Sequence, residues 1–224
     1  MSAKMFLRGC AVAGATALIA VAGPAWATGT YSISAGSTTS GDVPYTASTT
    51  GATPQIDFHT AFVNMSCDAG TAAGFLHLGS NVPGDNIASI DSTTWTNCLS
   101  FGLPMTVTQL SPNTPATPWI LNATGVPTSG VTAGTVTDVK AHVAHTPVNP
   151  NDPSLCSFDV SGSVDGNFNA NNQSLNITSP TAGATLVISN IVGCFGQLVD
   201  QEEAFFEASY AISNDEGPVS IVQP

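Results

Sequence analysis

The sequence predicts an all-β chain, a single-domain β-sandwich or partly closed barrel of about ten short, mainly antiparallel strands. Three observations predict it. Short apolar stretches are separated by Thr, Ser, Asn and Gly, with 15 prolines and 21 glycines as punctuation, the texture of many strands and turns. Apolar and polar residues alternate with period two in several stretches. No stretch after residue 28 carries an apolar period of 3.6 with helix caps.

Taken in order, the elements begin with an address. Lys4 and Arg8 precede a 13-residue apolar and small run, Cys10 to Ala22. Pro24 ends it, and Ala25-Trp26-Ala27 offers the small-x-small pattern of a cleavage site. Residues 1–27 thus read as a secretory signal peptide, too short for a membrane span. No later segment is long and apolar enough to cross a bilayer as a helix, so no stable membrane span is expected. Residues 28–54, rich in Ser, Thr and Gly, read as edge strands or a loose arm of the secreted domain 28–224.

Alternation then marks strands. Leu103, Met105 and Val107 share a face, as do Trp119 and Leu121, then Val139, Ala141 and Val143. The clearest strand is Cys156–Val164, with Ser157, Asp159, Ser161 and Ser163 on its polar face. Asp165-Gly166 predicts a turn after it. Leu175 and Ile177, then Leu186 and Ile188, mark two further strands. Acids near Asp200 would suit a helix start, but Phe206 to Ile212 alternates and reads as strand. Val219 to Val222 closes the chain. Strand lengths are expected seldom to exceed seven residues.

Composition excludes several classes. Only 8% of residues are charged, and Lys and Arg together number three. With the signal gone, Lys140 is the single cation against fifteen acids, too little to neutralise nucleic-acid phosphates. The exported part carries four cysteines, Cys67, Cys98, Cys156 and Cys194. An even number in an oxidising compartment predicts two disulfides. Three pairings are open. Cys67–Cys98 with Cys156–Cys194 is favoured, because consecutive strands usually neighbour one another.

The landmarks TWTNCLSFGLPMTVT, PWILNAT, Cys156 and TLVISNIVGCFGQL, behind a signal peptide and a Thr/Gly-rich first quarter, resemble those of a group of small secreted actinobacterial proteins. The resemblance spans most of residues 55–215 and implies export; its landmarks are structural and hand over no active site. PVNPNDP (Pro147 to Pro153) and the acidic stretch Asp200 to Glu207 depart from it. TWTNCLSFGL and ISNIVGCFGQL are also alike, each an apolar strand reaching Cys, then an aromatic and Gly, a hint of duplicated halves.

Chemistry-bearing patterns are sparse. His142 and His145 fall on opposite faces of a strand, His59 and His77 stand alone, and no metal or cofactor motif is present. Asp165-Gly-Asn167-Phe-Asn169 has the start of a calcium loop but lacks its central Gly and final Glu, and reads as a turn. No G-x-S-x-G elbow occurs. The densest acids, Asp200, Glu202, Glu203 and Glu207, are a candidate carboxylate set for glycoside hydrolysis, with Trp95 and Trp119 as a thin sugar-stacking platform. The favoured expectation is a non-catalytic secreted or cell-envelope protein, structural or surface-binding, whose partner is a cell-wall glycan or another envelope protein. An exported carboxylate-dependent glycoside hydrolase is the alternative, and an oligomeric envelope pore a lesser one.

Overall fold

The structure, a computed structural model, describes residues 29–110, 118–149, 151–178 and 185–224. The signal peptide expected at 1–27 lies outside the described residues. Sixteen strands occur among them: β1 (Thr30–Ala35), β2 (Gly41–Thr49), β3 (Ile56–His59), β4 (Asn64–Cys67), β5 (Ala69–Pro83), β6 (Ala88–Ile90), β7 (Ser92–Thr96), β8 (Cys98–Ser100), β9 (Leu103–Gln109), β10 (Trp119–Ala123), β11 (Val131–His145), β12 (Cys156–Asn169), β13 (Ser174–Thr178), β14 (Leu186–Gly193), β15 (Glu203–Ser213) and β16 (Val219–Val222). One 3₁₀ turn, Cys194–Gly196, follows β14. The protein is all-β, and its pairings are antiparallel.

Alternation places the core. In β12, Cys156, Phe158, Val160 and Val164 are buried while Ser157, Asp159, Ser161 and Ser163 face outward. In β2, Val43, Tyr45 and Ala47 are buried between Asp42, Pro44, Thr46 and Ser48. In β15, Ala204, Ala208 and Tyr210 are buried, and Glu203 and Glu207 are exposed. The stretch from Phe206 to Ile212 is therefore a strand, as its alternation predicts.

The pairings close two circuits. One runs β12–β11–β9–β8–β4–β3–β15–β14 and back to β12. The other runs β12–β11–β10–β6–β5–β2–β15–β13 and back to β12. They share three long strands, each used twice along its length. β11 pairs β10 through Gly134–Thr137 and β9 through Ala141–His145. The result is two stacked tiers around one apolar interior. Closure is incomplete where β7, laddered to β5, faces β9 with no ladder between them.

The hand-over between tiers is made by a bulge. Register shifts between Val136 and Val139, where Asp138 has φ 58°, opposite Gly162 at φ 135°. An extra residue bends a strand and increases its twist, so one hairpin can serve both circuits. A Cβ on Gly162 would sit 2.0 Å from the Thr185 carbonyl oxygen.

The upper tier is covered by the β1–β16 ribbon. Tyr31, fully buried, donates its hydroxyl to the Gly125 carbonyl and accepts from the Gly125 N–H. The Gln173 amide bonds both the N–H and the carbonyl of Val219. Both cystines lie in the lower tier, Cys67–Cys98 and Cys156–Cys194, all four sulfurs belonging to buried residues of the core. That is the pairing favoured from sequence order.

Four expectations are corrected. Residues 29–54 are no arm: β2 lies between β15 and β5, and β1 between β5 and β16. Strands are more numerous than ten, and six exceed seven residues, with β5 and β11 at 15 and β12 at 14; β11 and β12 are long because a strand shared by two tiers must span both. Asp165-Gly166 is mid-strand, opposite Thr178 and Ile177, and the turn comes at 170–173. Trp95 and Trp119 offer no sugar platform, since both pack inside.

Candidate functional site

The two Cys-aromatic-Gly stretches fold into unusual corners. Phe101-Gly102 is the whole loop between β8 and β9, since Ser100 pairs Leu103. Both residues have positive φ, 55° and 72°, the geometry of a type I′ turn, which selects Asn, Asp or Gly. After β14, Cys194, Phe195 and Gly196 have φ of 57°, 54° and 69° in succession. A bulky side chain in this region costs about 1–2 kcal/mol. Such strain persists where surrounding structure over-determines it, and it concentrates at functional sites.

The two corners converge. The Phe101 and Phe195 rings meet edge to face with centroids 5.5 Å apart. Phe195 is 58% exposed, although burial would be the default for such a ring. Phe62, Leu99, Leu155, Val192 and Val199 are also exposed, and the loops and strand ends carrying them lie at this lower end. Each corner is anchored beside a cystine: Leu99 and Phe101 follow Cys98, and Phe195 follows Cys194. Exposed apolar side chains gathered at one end mark an interaction surface more often than the same side chains scattered singly. Lys140 is the single Lys or Arg among the described residues.

The histidines are held by carboxylates or buried. His142 Nδ1 lies 2.6 Å from Asp159 Oδ1 across β11 and β12, and the Asn190 amide donates to Asp159 Oδ2 at 2.7 Å. Partial burial alone would raise the Asp159 carboxyl; the Asn190 and His142 hydrogen bonds and the His142 charge outweigh it and hold the pKa below its ordinary value. His77 pairs with Asp42 at 2.7 Å. His59 lies 3.4 Å from Asp57 and stacks on Phe205. His145 is buried, its Nδ1 accepting from the Leu155 N–H. No group of three or more potential metal-ligating side chains gathers among the described residues.

The acids singled out from sequence do not form a paired site. Asp200 is exposed in the connection to β15, and Glu202 accepts from the Val199 N–H. Glu203 and Glu207 project outward from one strand, four residues or about 13 Å apart. Glu207 stands opposite Asp57, on the open face of the sheet. Neither described cavity is lined by a carboxylate.

The interior is incompletely filled. A cavity of about 90 Å³ lies between the tiers, walled almost wholly by apolar side chains. Trp95, Trp119, Tyr45 and Tyr210 form its aromatic wall. The Trp95 and Trp119 rings are 6.2 Å apart. Burial drives both phenols far above their ordinary pKa. Left empty, a void of this volume costs on the order of 2 kcal/mol.

These features define a disulfide-braced, partly closed all-β protein with an apolar end and an apolar interior. Compared with known protein families, curated proteins and solved structures, the chain matches none. In the sequence the two Cys-aromatic-Gly stretches carry a hint of duplication and two landmarks of the resemblance, and nothing of their backbone geometry. The signal available was a bulky Phe before Gly where a tight turn should carry Asn. For the cavity no local signal exists, because its wall is drawn from strands spread across the chain.

Proposed function

We propose that this is an exported, non-catalytic protein of the cell envelope that holds a neutral glycan at the end bearing Phe101 and Phe195. The single observation that carries the reading is that ring pair, Phe195 exposed and Phe101 half-buried beneath it, both in strained left-handed backbone beside two cystines. Aromatic faces bind the apolar faces of sugar rings, and rigid aromatics lose little conformational entropy on binding. The near absence of cations favours a neutral partner over an anionic one. Two closed cystines suit an oxidising compartment.

The outward faces are polar and the inward faces apolar, as in Ser157, Asp159 and Ser161 against Phe158 and Val160. A lipid-facing barrel has the reverse arrangement, which tells against a pore, although strand length does not. The acids of β15, spread along an exposed face with no cleft, give little support to glycoside hydrolysis.

The test is sedimentation of the chain from Thr28 onward with insoluble cellulose, chitin, mannan, galactan and whole cell wall. The expected outcome is saturable retention on at least one, weakened about tenfold or more by Phe195→Ala, as for an aromatic hot spot. The thermal midpoint should stay nearly unchanged, because the ring is exposed. Retention on none, or retention indifferent to Phe195→Ala, would refute the reading.

A further inference from the structure

We propose that the cavity between the tiers is a binding site for one short, unbranched hydrocarbon chain that carries no hydrogen-bonding group. This site is separate from the aromatic end and does not depend on what that end holds.

Polarity sets the class of occupant. The wall is built from Ile56, Phe58, Val107, Val160, Leu186 and their neighbours, so water gains few partners inside and an apolar occupant is favoured. Polar atoms of the lining residues are engaged or shut away. Tyr45 donates its hydroxyl to the Ser89 carbonyl, and Thr93 donates to Gln109 Oε1. The Trp119 Nε1 has almost no accessible surface, so it offers nothing to an occupant. A hydroxyl, amide or charge brought inside would lose its water and gain little in return. A hydrocarbon leaves water favourably and needs no partner.

Size and shape narrow the class further. An apolar void of about 150 Å³ takes the six carbons of benzene, so one of about 90 Å³ takes about four. On β11 the lining residues run from Val136 through Val139 and Ala141 to Val143, a stretch of strand about 20 Å long. So small a volume along so long a wall is narrow, and an extended chain follows it where a branch does not fit. Eight-stranded circuits leave an interior that side chains just fill or that takes one small ligand, and Ala47, Ala72 and Ala141 leave this one short of filled. The way in is the unladdered seam between β7 and β9, where Thr93, Trp95 and Val107 line the cavity. The Gln109 side chain bridges the seam, accepting from Thr93 and donating to the Ile90 carbonyl, so a side-chain rotation opens it without breaking a strand ladder.

The test equilibrates the wild-type chain from Thr28 onward with dissolved n-butane or with its branched isomer isobutane. Trp95 and Trp119 are the only tryptophans beyond residue 27 and both line the site, so indole fluorescence reports occupancy. A bound chain should also raise the thermal midpoint. Saturable binding of n-butane is expected, tighter than that of isobutane by about fivefold or more, because a branch forces wall side chains off their rotamers. Ala141→Leu puts a side chain where the occupant would lie and should weaken n-butane by about tenfold or more. No saturable signal with n-butane, isobutane bound as tightly or more tightly, or n-butane binding unchanged in Ala141→Leu overturns the proposal. The comparison of isomers on the wild type decides alone if the variant fails to fold.

Discussion

Asp159 shows how single side chains tune this protein, since His142 and Asn190 together hold its carboxyl below the ordinary range. The native state therefore releases that proton more readily than the unfolded chain. The linked stability is complete above the ordinary aspartate value of about 3.9 and is lost as pH falls through the lower folded value. The expected outcome is a wild-type thermal midpoint that declines below about pH 4, with a shallower decline in Asp159→Asn. Parallel declines in a pH series of melting curves would show that Asp159 is not a contributor. The pairing was half legible in the sequence. Asp159 was placed on the polar face of its strand, but His142 comes opposite it only through the register of the β11–β12 hairpin, which no local pattern states. At the same scale, Phe101 and Phe195 were legible as composition and illegible as geometry, because left-handed φ at an aromatic runs against propensity.

Among the elements, the shared strands decide the architecture, and the bulge at Asp138 and Gly162 decides the shared strands. Gly162→Ala places a Cβ 2.0 Å from the Thr185 oxygen, at a φ that side chains rarely adopt. Relief would require β12 and β14 to part at the point where β12 passes from one circuit to the other. A loss of about 2–4 kcal/mol is expected, the range of severe core and backbone clashes, read as a lower urea midpoint. A midpoint within error of wild type would mean that the bulge is plastic. Strands with a clean alternation, β9, β12, β15 and β16, were legible. β5 was not: AGTAAGFLHLGSNVP lacks a β-branched or aromatic run, and its small residues answer a tertiary demand. A Cβ on Gly74 would lie 1.9 Å from the Ser89 oxygen, so close approach of the neighbouring chain overrides propensity there. The choice between edge strand and loose arm stays open in the sequence for β2 for a related reason, since its Ser and Thr face water while Val43, Tyr45 and Ala47 go inward.

At the scale of the whole molecule, the two ends are closed by different means. The upper end is covered by a ribbon held with hydrogen bonds from Tyr31 and Gln173. The lower end leaves apolar side chains in water, and its strained corners must be kept in place by something stronger than burial. The cystines supply this. Their loops span 31 and 38 residues, and loop-closure entropy assigns each about 3–4 kcal/mol. A domain of this size has about 5–15 kcal/mol in total, so losing both removes most of the margin. Cys156→Ser with Cys194→Ser should lower stability by about 3–4 kcal/mol, measured by urea denaturation of the oxidised protein. Because that cystine sits next to Phe195, glycan retention should fall together with stability. Removing Cys67 and Cys98 should act likewise through Phe101. A cystine-free chain that melts where the wild type does would mean that the apolar end holds its shape without bracing. In that case the strain at Phe101 and Phe195 must be balanced by packing within the lower tier alone.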